Sequence, residues 1–467
     1  MEESFESFFD HETLELVKRF EEMISRDEQF FFDVSEFEEL IDYYFFGNDL
    51  PNAKKCIDLG LGQHPVCINI QLKSAQYFIN SGLPEEAMLV MKEIDEADVR
   101  DKEMHFTMGT IYSQLEKPEK AIGEFEKAVG GVEYPDDLYS SIAFEYENMG
   151  NYEKAIEYLV KAIEADPENE AVLYELSFCF EVSQQTDKGV NFLLDFIDRN
   201  PYSKAAWFNL GIAYSNLELF EKAIDAYDYV IAIDESFASA YFNKANCYAN
   251  LSEYTRAIET YFETFYYEDP EPITHYYIAE CYEKLRKFES SLEFYKKAVA
   301  IDPEFADAWL GIGISYDELG KPQSAIPYVR KAIKLTPTLP EYWFILGDLQ
   351  IKLSKIEEGI ASYRKVIELD PEDPEIWLDL SVVYSDQKDY GKAHEILLEG
   401  LHWHKKNADF YYGIAYYLYL GGKQKQAEEM LAKALGMDFE GHKRLFTTFP
   451  EARNNAAVIG FIEAYRK

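Results

Sequence analysis

One chemical pattern returns every 34 residues along most of this 467-residue chain, and few folds can carry such a repeat. Counted from residue 34, new periods begin at 68, 102, 136, 170, 204, 238, 272, 306, 340, 374 and 408. That makes twelve periods ending at 441, with no insertion or deletion. Numbering each period from slot 1 to slot 34 brings like residues together. Slot 20 is always small, from Ala53, Ala87 and Ala121 through Gly189, Ser291 and Gly359 to Ala427. Slot 8 is small in all but the first period, as at Gly109, Ser177, Gly211, Ala245 and Gly347. Slot 11 is aromatic in ten of twelve periods, and slot 24 is large and apolar throughout, from Ile57 to Leu431.

These spacings predict two helices per period. Slots 4, 7, 8 and 11 share one face of a first helix, and slots 20, 24 and 27 share one face of a second. Small slots 8 and 20 let the two backbones approach, while large slots 11 and 24 fill the space beside them. Proline punctuates the pattern. Pro84, Pro118 and Pro322 stand at slot 17, where the second helix starts and a missing N–H costs little. Pro65, Pro167, Pro201, Pro303, Pro337 and Pro371 stand at slot 32, between one pair and the next. Pro327, at slot 22, falls inside a second helix and is expected to kink or loosen it.

With these slots in view, the segments AWFNLGIAY…EKAIDAY (206–227) and AWLGIGISY…QSAIPYV (308–329) resemble tetratricopeptide repeats. The resemblance covers 34–441. It implies an all-α, right-handed superhelical α-solenoid of about twelve helix-turn-helix repeats, with first helices lining a concave groove. Residues 1–33 are expected to form an N-terminal capping segment, with Leu14, Val17, Phe20 and Ile24 on one stripe. Residues 442–467 are expected to cap the other end, with Val458, Ile459, Ile462 and Tyr465 packed inward.

Composition narrows the function. The chain carries 87 acidic against 45 basic residues, a net charge of −42, which argues against contact with nucleic-acid backbone or anionic membrane. The first residues lack a basic segment followed by an apolar one, so no signal peptide is expected there. Five cysteines are few and odd in number, as in a reducing cytoplasm. No phosphate-binding glycine loop, HExxH or paired CxxC occurs, so no cofactor is expected. His402 and His404 lack further ligands, and His105 and His275 occupy slot 4 as packing residues beside the Trp and Tyr of other repeats. Cys179, Cys247 and Cys281 share slot 10 and read as small buried thiols. The segments outside the repeats are too short to hold a catalytic domain, so the chain is read as a non-enzyme.

The resemblance places the groove on slots 2, 5, 9, 12 and 13. Slot 5 is an apolar, mostly aromatic line that includes Tyr174, Phe208, Phe242 and Tyr276. It is expected to stand clear of the contact between paired helices. Slots 2, 9, 12 and 13 hold fifteen acids, among them Glu280, Glu283 and Asp317, against two bases, Lys284 and Lys352. Two causes are open for this excess, a basic ligand or solubility. Asn209, Asn243, Asn246 and Asn250 cluster in repeats six and seven without the basic clamp that family members use for chaperone tails. Such amides suit the backbone of an extended peptide. The expected partner surface is Tyr174, Phe208, Asn209, Phe242, Asn243, Asn246, Tyr276, Glu280, Glu283 and Asp317. The expected function is a cytoplasmic scaffold or adaptor for a protein or peptide with basic and apolar residues. The alternative is a holding chaperone for basic clients.

Overall fold

The computed structural model describes residues 9–26, 28, 30–95, 102–130 and 135–465. The parts of the two expected caps at 1–8, 27, 29 and 466–467 lie outside the described residues. Among the described residues every regular element is a helix. The first helix of each period spans slots 1–13, from Val34–Phe46 to Ala408–Leu420. The second begins at slot 17, from Leu50–Gln63 to Gln424–Met437.

A shared backbone device ends the first helix. In all twelve repeats slot 15 adopts a positive φ, between 51° at Asn48 and 74° at Gly422. The slot-16 N–H then reaches back to the slot-11 carbonyl, as in Leu83 to Phe78 at 2.9 Å and Lys321 to Tyr316 at 2.9 Å. This is a Schellman closure, which satisfies carbonyls the helix end leaves without donors. Only four of the twelve positions are glycine. The second helix starts at once, and in three repeats the slot-16 side chain, Asp49, Asn151 or Asp389, caps it. Asp49 accepts from the Asn52 N–H at 3.1 Å and Asp389 from the Lys392 N–H at 3.0 Å.

Small and large slots meet as their spacing predicts. A Cβ on Gly109 would come within 2.5 Å of Phe125, and one on Gly211 within 2.5 Å of Tyr227. Slots 8 and 24 of one repeat therefore close-pack across the helix pair. Slot 4 is tied to slot 32 of the preceding repeat. The indole N–H groups of Trp207, Trp309 and Trp343 donate to the carbonyls of Pro201, Pro303 and Pro337, each at 2.9 Å. These indoles are half-buried, and proline's carbonyl is free to accept from them because the helix has already ended. His275 also packs at slot 4, buried against Phe265 and Phe294.

Two compact units divide the chain, Met1–Ala240 and Tyr241–Lys467. In the first, helix His11–Arg26 covers the first pair with Leu16, Val17, Phe20 and Met23. The expected stripe was rotated: Ile24 is exposed and Leu14 only half-buried. In the second, Arg444 ties helix His442–Thr448 to the last repeat through Asp409 and Asp438, at 3.0 and 2.8 Å. Val458 and Ile462 of the final helix are buried as expected, whereas Tyr465 lies outside against Phe461.

Pro327 does not interrupt its helix, which runs unbroken from Pro322 to Leu335. Its ring faces solvent, as does Gln323, whose carbonyl loses its donor. At this exposed position the proline costs the helix one hydrogen bond without ending it.

Candidate functional site

Within each unit successive first helices touch. Glu170–Val182 meets Lys204–Asn216 in the first unit, and Pro272–Lys284 meets Ala306–Glu318 in the second. The second helices make their main contacts with first helices. Each unit therefore presents a surface built from its first helices.

In the second unit tyrosines from slot 24 reach through to this surface. Tyr261 donates its hydroxyl to the Asn246 carboxamide oxygen, and Tyr295 donates to Glu283 at 3.0 Å. Tyr363 donates to Asp348. Tyr276 donates to Glu280 one turn along its own helix, at 2.9 Å. Burial raises the carboxyls of Glu280, Glu283 and Asp348 above their ordinary range. Asp379 is pushed up to about 6, first by burial and then by repulsion from Asp348, Glu375 and Asp373. Few bases offset them: Lys352 is paired with Asp317 at 2.7 Å, while Lys284 lies near Glu280 and Glu283. A cavity of about 440 Å³ opens here, lined by Asn246, Asn250, Tyr277, Glu280 and Lys284 among others.

The Asp379 shift has a measurable consequence. The folded carboxyl keeps its proton to a higher pH than the unfolded one, so ionising it opposes folding. That cost is full above pH 6 and absent below about pH 4. Asp379→Asn is expected to stabilise the chain by about 1–3 kcal/mol at pH 8. The gain should vanish by pH 4 in denaturant titrations. A gain of equal size at both pH values would contradict the assignment.

The first unit presents a different surface. Slot 9 carries Phe144 and Phe178, each 53% exposed, followed by half-buried Ile212. Val182 and Tyr174 extend this apolar patch. Glu147 stands beside it and accepts the Cys179 thiol at 3.3 Å. A cavity of about 200 Å³ opens among these residues, with Tyr174 and Asn209 in its wall. The slot-9 row escaped the sequence reading because that slot was read for charged and amide residues. Its signal was present as Phe144, Phe178 and Ile212 one period apart.

The expected partner residues thus fall into distinct settings. Tyr174 and Asn209 line the first cavity, and Asn246 and Glu280 line the second. Asn243 is half-exposed, Glu283 holds Tyr295, and Asp317 is paired with Lys352. Asn209 is buried and its amide donates to the Ala205 carbonyl at 2.9 Å. Slot 5 does not stand clear of the helix contact. Phe208 is 8% exposed, with ring centroids 5.8 Å from Tyr227 and 5.0 Å from Phe237. Phe242 packs on Tyr261 at 5.7 Å, and Tyr276 on Tyr295 at 5.6 Å and Phe305 at 5.0 Å. Slot 24 is long enough to reach slot 5 of its own repeat, which turns the slot-5 line into packing.

Sequence profiles of the tetratricopeptide repeat match residues 102–130, 137–169, 205–237, 238–262, 272–305, 306–339 and 350–415, together more than half of the chain. No curated protein matches in sequence. Solved structures are similar in fold. One is YrrB, described as a TPR protein with an unusual peptide-binding site. It is 18% identical, covers 42% of this chain and 97% of its own, and has a TM-score of 0.35. A second is the C-terminal part of a TPR repeat-containing protein from Cytophaga hutchinsonii, at 20% identity, 52% and 99% coverage and a TM-score of 0.45. A third is a tetratricopeptide repeat protein from Parabacteroides merdae, at 14%, 53% and 98%, and 0.41. Among the described residues no helix is long and apolar enough to cross a membrane. Members of this repeat family are typically non-catalytic scaffolds for protein–protein interaction. The repeated helix pairs, their close-packed small and large slots and the profile matches together make the chain a member of the tetratricopeptide-repeat family.

Proposed function

We propose that the chain is a scaffold whose first-helix surfaces take a peptide or protein bearing basic and apolar residues. One observation carries this reading. The carboxyls of Glu280, Glu283, Asp348 and Asp379 are held up by burial, and few bases offset them. A basic ligand would relieve that electrostatic cost, whereas solubility alone calls for fully solvated acids. Tyr174, Asn243, Asn246, Glu280, Glu283 and Asp317 are the proposed contacts. Phe208 and Asn209 in the first unit, and Phe242 and Tyr276 in the second, are proposed to shape the surface of their own unit. The proposed division keeps residues 1–33 and 442–467 as caps on twelve repeats at 34–441. The five free thiols support a reducing, cytoplasmic setting.

Affinity purification of the full chain from its native cell tests the reading. One or two partners in stoichiometric amount, released by salt and carrying basic segments, are expected. Many sub-stoichiometric basic clients would favour the holding chaperone, and acidic partners retained in high salt would contradict both.

A further inference from the structure

Repeat five is packed differently from the three repeats that follow it. In repeats six, seven, eight and ten slot 24 is a tyrosine that fills the space between the paired helices, as Tyr227 does over Gly211. Repeat five carries Leu193 at that slot, which stops short. It also carries Gly189 at slot 20, where most repeats carry alanine, and the Phe180 ring lies 3.1 Å from where a Cβ would stand. The unfilled space is the cavity of about 200 Å³, whose wall includes Tyr174, Ser177, Phe178, Glu181, Leu193 and Asn209. This is smaller than the roughly 300–1,000 Å³ of small-molecule sites and suits one inserted side chain.

Two further observations bear on what enters it. The Ser177 hydroxyl oxygen is buried, lines the cavity and has no hydrogen-bond partner among the described residues. Because that hydroxyl lines the cavity, a polar group that enters can supply its missing partner. Glu181 carries the charge in the cavity wall, and the charge on the first helices around it is one-sided. The first helices of repeats four to six contain seven acids, Asp136, Asp137, Glu145, Glu147, Glu170, Glu175 and Glu181, and one base. That base, Lys204, is tied to Asp234 at 2.9 Å. Burial and the nearby Glu147 both raise the Glu175 carboxyl.

We infer that the repeat-five cavity is the anchor pocket of the scaffold: it takes one bulky apolar side chain, of leucine to phenylalanine size, from a peptide segment that carries lysine or arginine beside that residue. The Ser177 hydroxyl bonds the peptide backbone at the inserted residue, and Glu147, Glu175 and Glu181 face the basic neighbours. This inference rests on the proposed scaffold function and adds the position and size of the specificity-determining contact.

The test uses fluorescent nine-residue peptides with a variable centre flanked by lysines in a glycine–serine background, bound to the full chain. Centres of Phe or Leu should bind about tenfold or more tighter than Ala or Asp. The double variant Ser177→Ala, Leu193→Tyr installs the pair that repeat seven uses, Ala245 with the fully buried Tyr261, and so fills the cavity with a combination this fold accepts. It should bind all lysine peptides equally, with unchanged helical signal. Glu181→Lys should weaken every peptide in low salt. If the filled variant still prefers Phe, or the natural chain never does, the pocket inference is overturned while the scaffold reading stands. If no lysine peptide binds at all, both fail. A peptide with a photoreactive benzoylphenylalanine centre needs no variant. Crosslinks mapped to Ser177, Gly189 or Leu193 support the pocket, and crosslinks confined to other repeats overturn it.

Discussion

Truncating Phe208, Phe242 and Tyr276 to alanine together should destabilise the chain by several kcal/mol and lower its helical signal in the thermal transition. The three rings were expected on sequence grounds to stand free, where their loss costs little. Instead each is packed against the slot-24 tyrosine of its own repeat, 5.8, 5.7 and 5.6 Å between centroids. Phe208 is nearly buried, and loss of a buried phenylalanine costs roughly 3–5 kcal/mol. The half-buried Phe242 and Tyr276 should cost about 1–3 kcal/mol each. In a solenoid each repeat contacts only its neighbours, so the damage should appear as a broadened transition. Denaturant unfolding of the single and triple variants checks this. Single losses under about 0.5 kcal/mol would restore the exposed-line reading. It follows that failure of the triple variant to capture a partner says nothing about contact, and the binding test must rest on other residues.

The opposite change is available at slot 15. Glu116, Gln184, Glu218, Ser252, Arg286, Ser354 and Lys388 all hold φ between 54° and 62°. A side chain in this left-handed region costs about 1–2 kcal/mol, of which glycine's greater unfolded-state freedom returns part. Each substitution to glycine should therefore gain roughly 0.5–1 kcal/mol. The sites lie one repeat or more apart and share no described side-chain partner, so the seven should add to roughly 3.5–7 kcal/mol. Arg286 is the weakest case, since its 3.4 Å contact with Glu318 is lost. That pair is exposed and contributes little. Denaturant midpoints measured as the substitutions accumulate should rise at nearly every step. A flat or falling series would mean that these side chains do more than cap a turn.

These two cases show what the sequence could and could not reveal. Helix pairs were legible because slots 8, 20 and 24 must be small or large for two backbones to pack, and chemistry records that demand in every repeat. Slot 15 left no such record. Its demand is on the backbone, and Asn48, Glu116, Ser252 and Arg286 meet it as Gly82 does, at some cost in strain. Slot 5 misled for another reason: an aromatic residue at a surface slot looks the same whether a partner or a neighbouring tyrosine covers it. The cap stripes were legible to within one helical step. Leu14 and Ile24 alternate with Leu16 and Met23 on nearby faces, and only the partner helix decides which face turns inward. The repeat-five cavity was written in Leu193 and Gly189, but an undersized residue is visible only once its neighbours are placed.

The acid-rich surface of the second unit is where the scaffold reading is most exposed to test. Glu280, Glu283 and Asp317 can be reversed to lysine together, at the cost of the Tyr276 and Tyr295 hydrogen bonds and the Lys352 pair. The measurement is the association rate of the copurified partner at low and at physiological salt, with helical content checked alongside. Electrostatic attraction acts over roughly 8 Å at physiological ionic strength and farther in dilute buffer. The reversed chain should associate at least about tenfold more slowly in low salt, and the gap should narrow as salt rises. An association rate unchanged in low salt, with capture lost only on substitution of the outward faces of the second helices, would contradict the account.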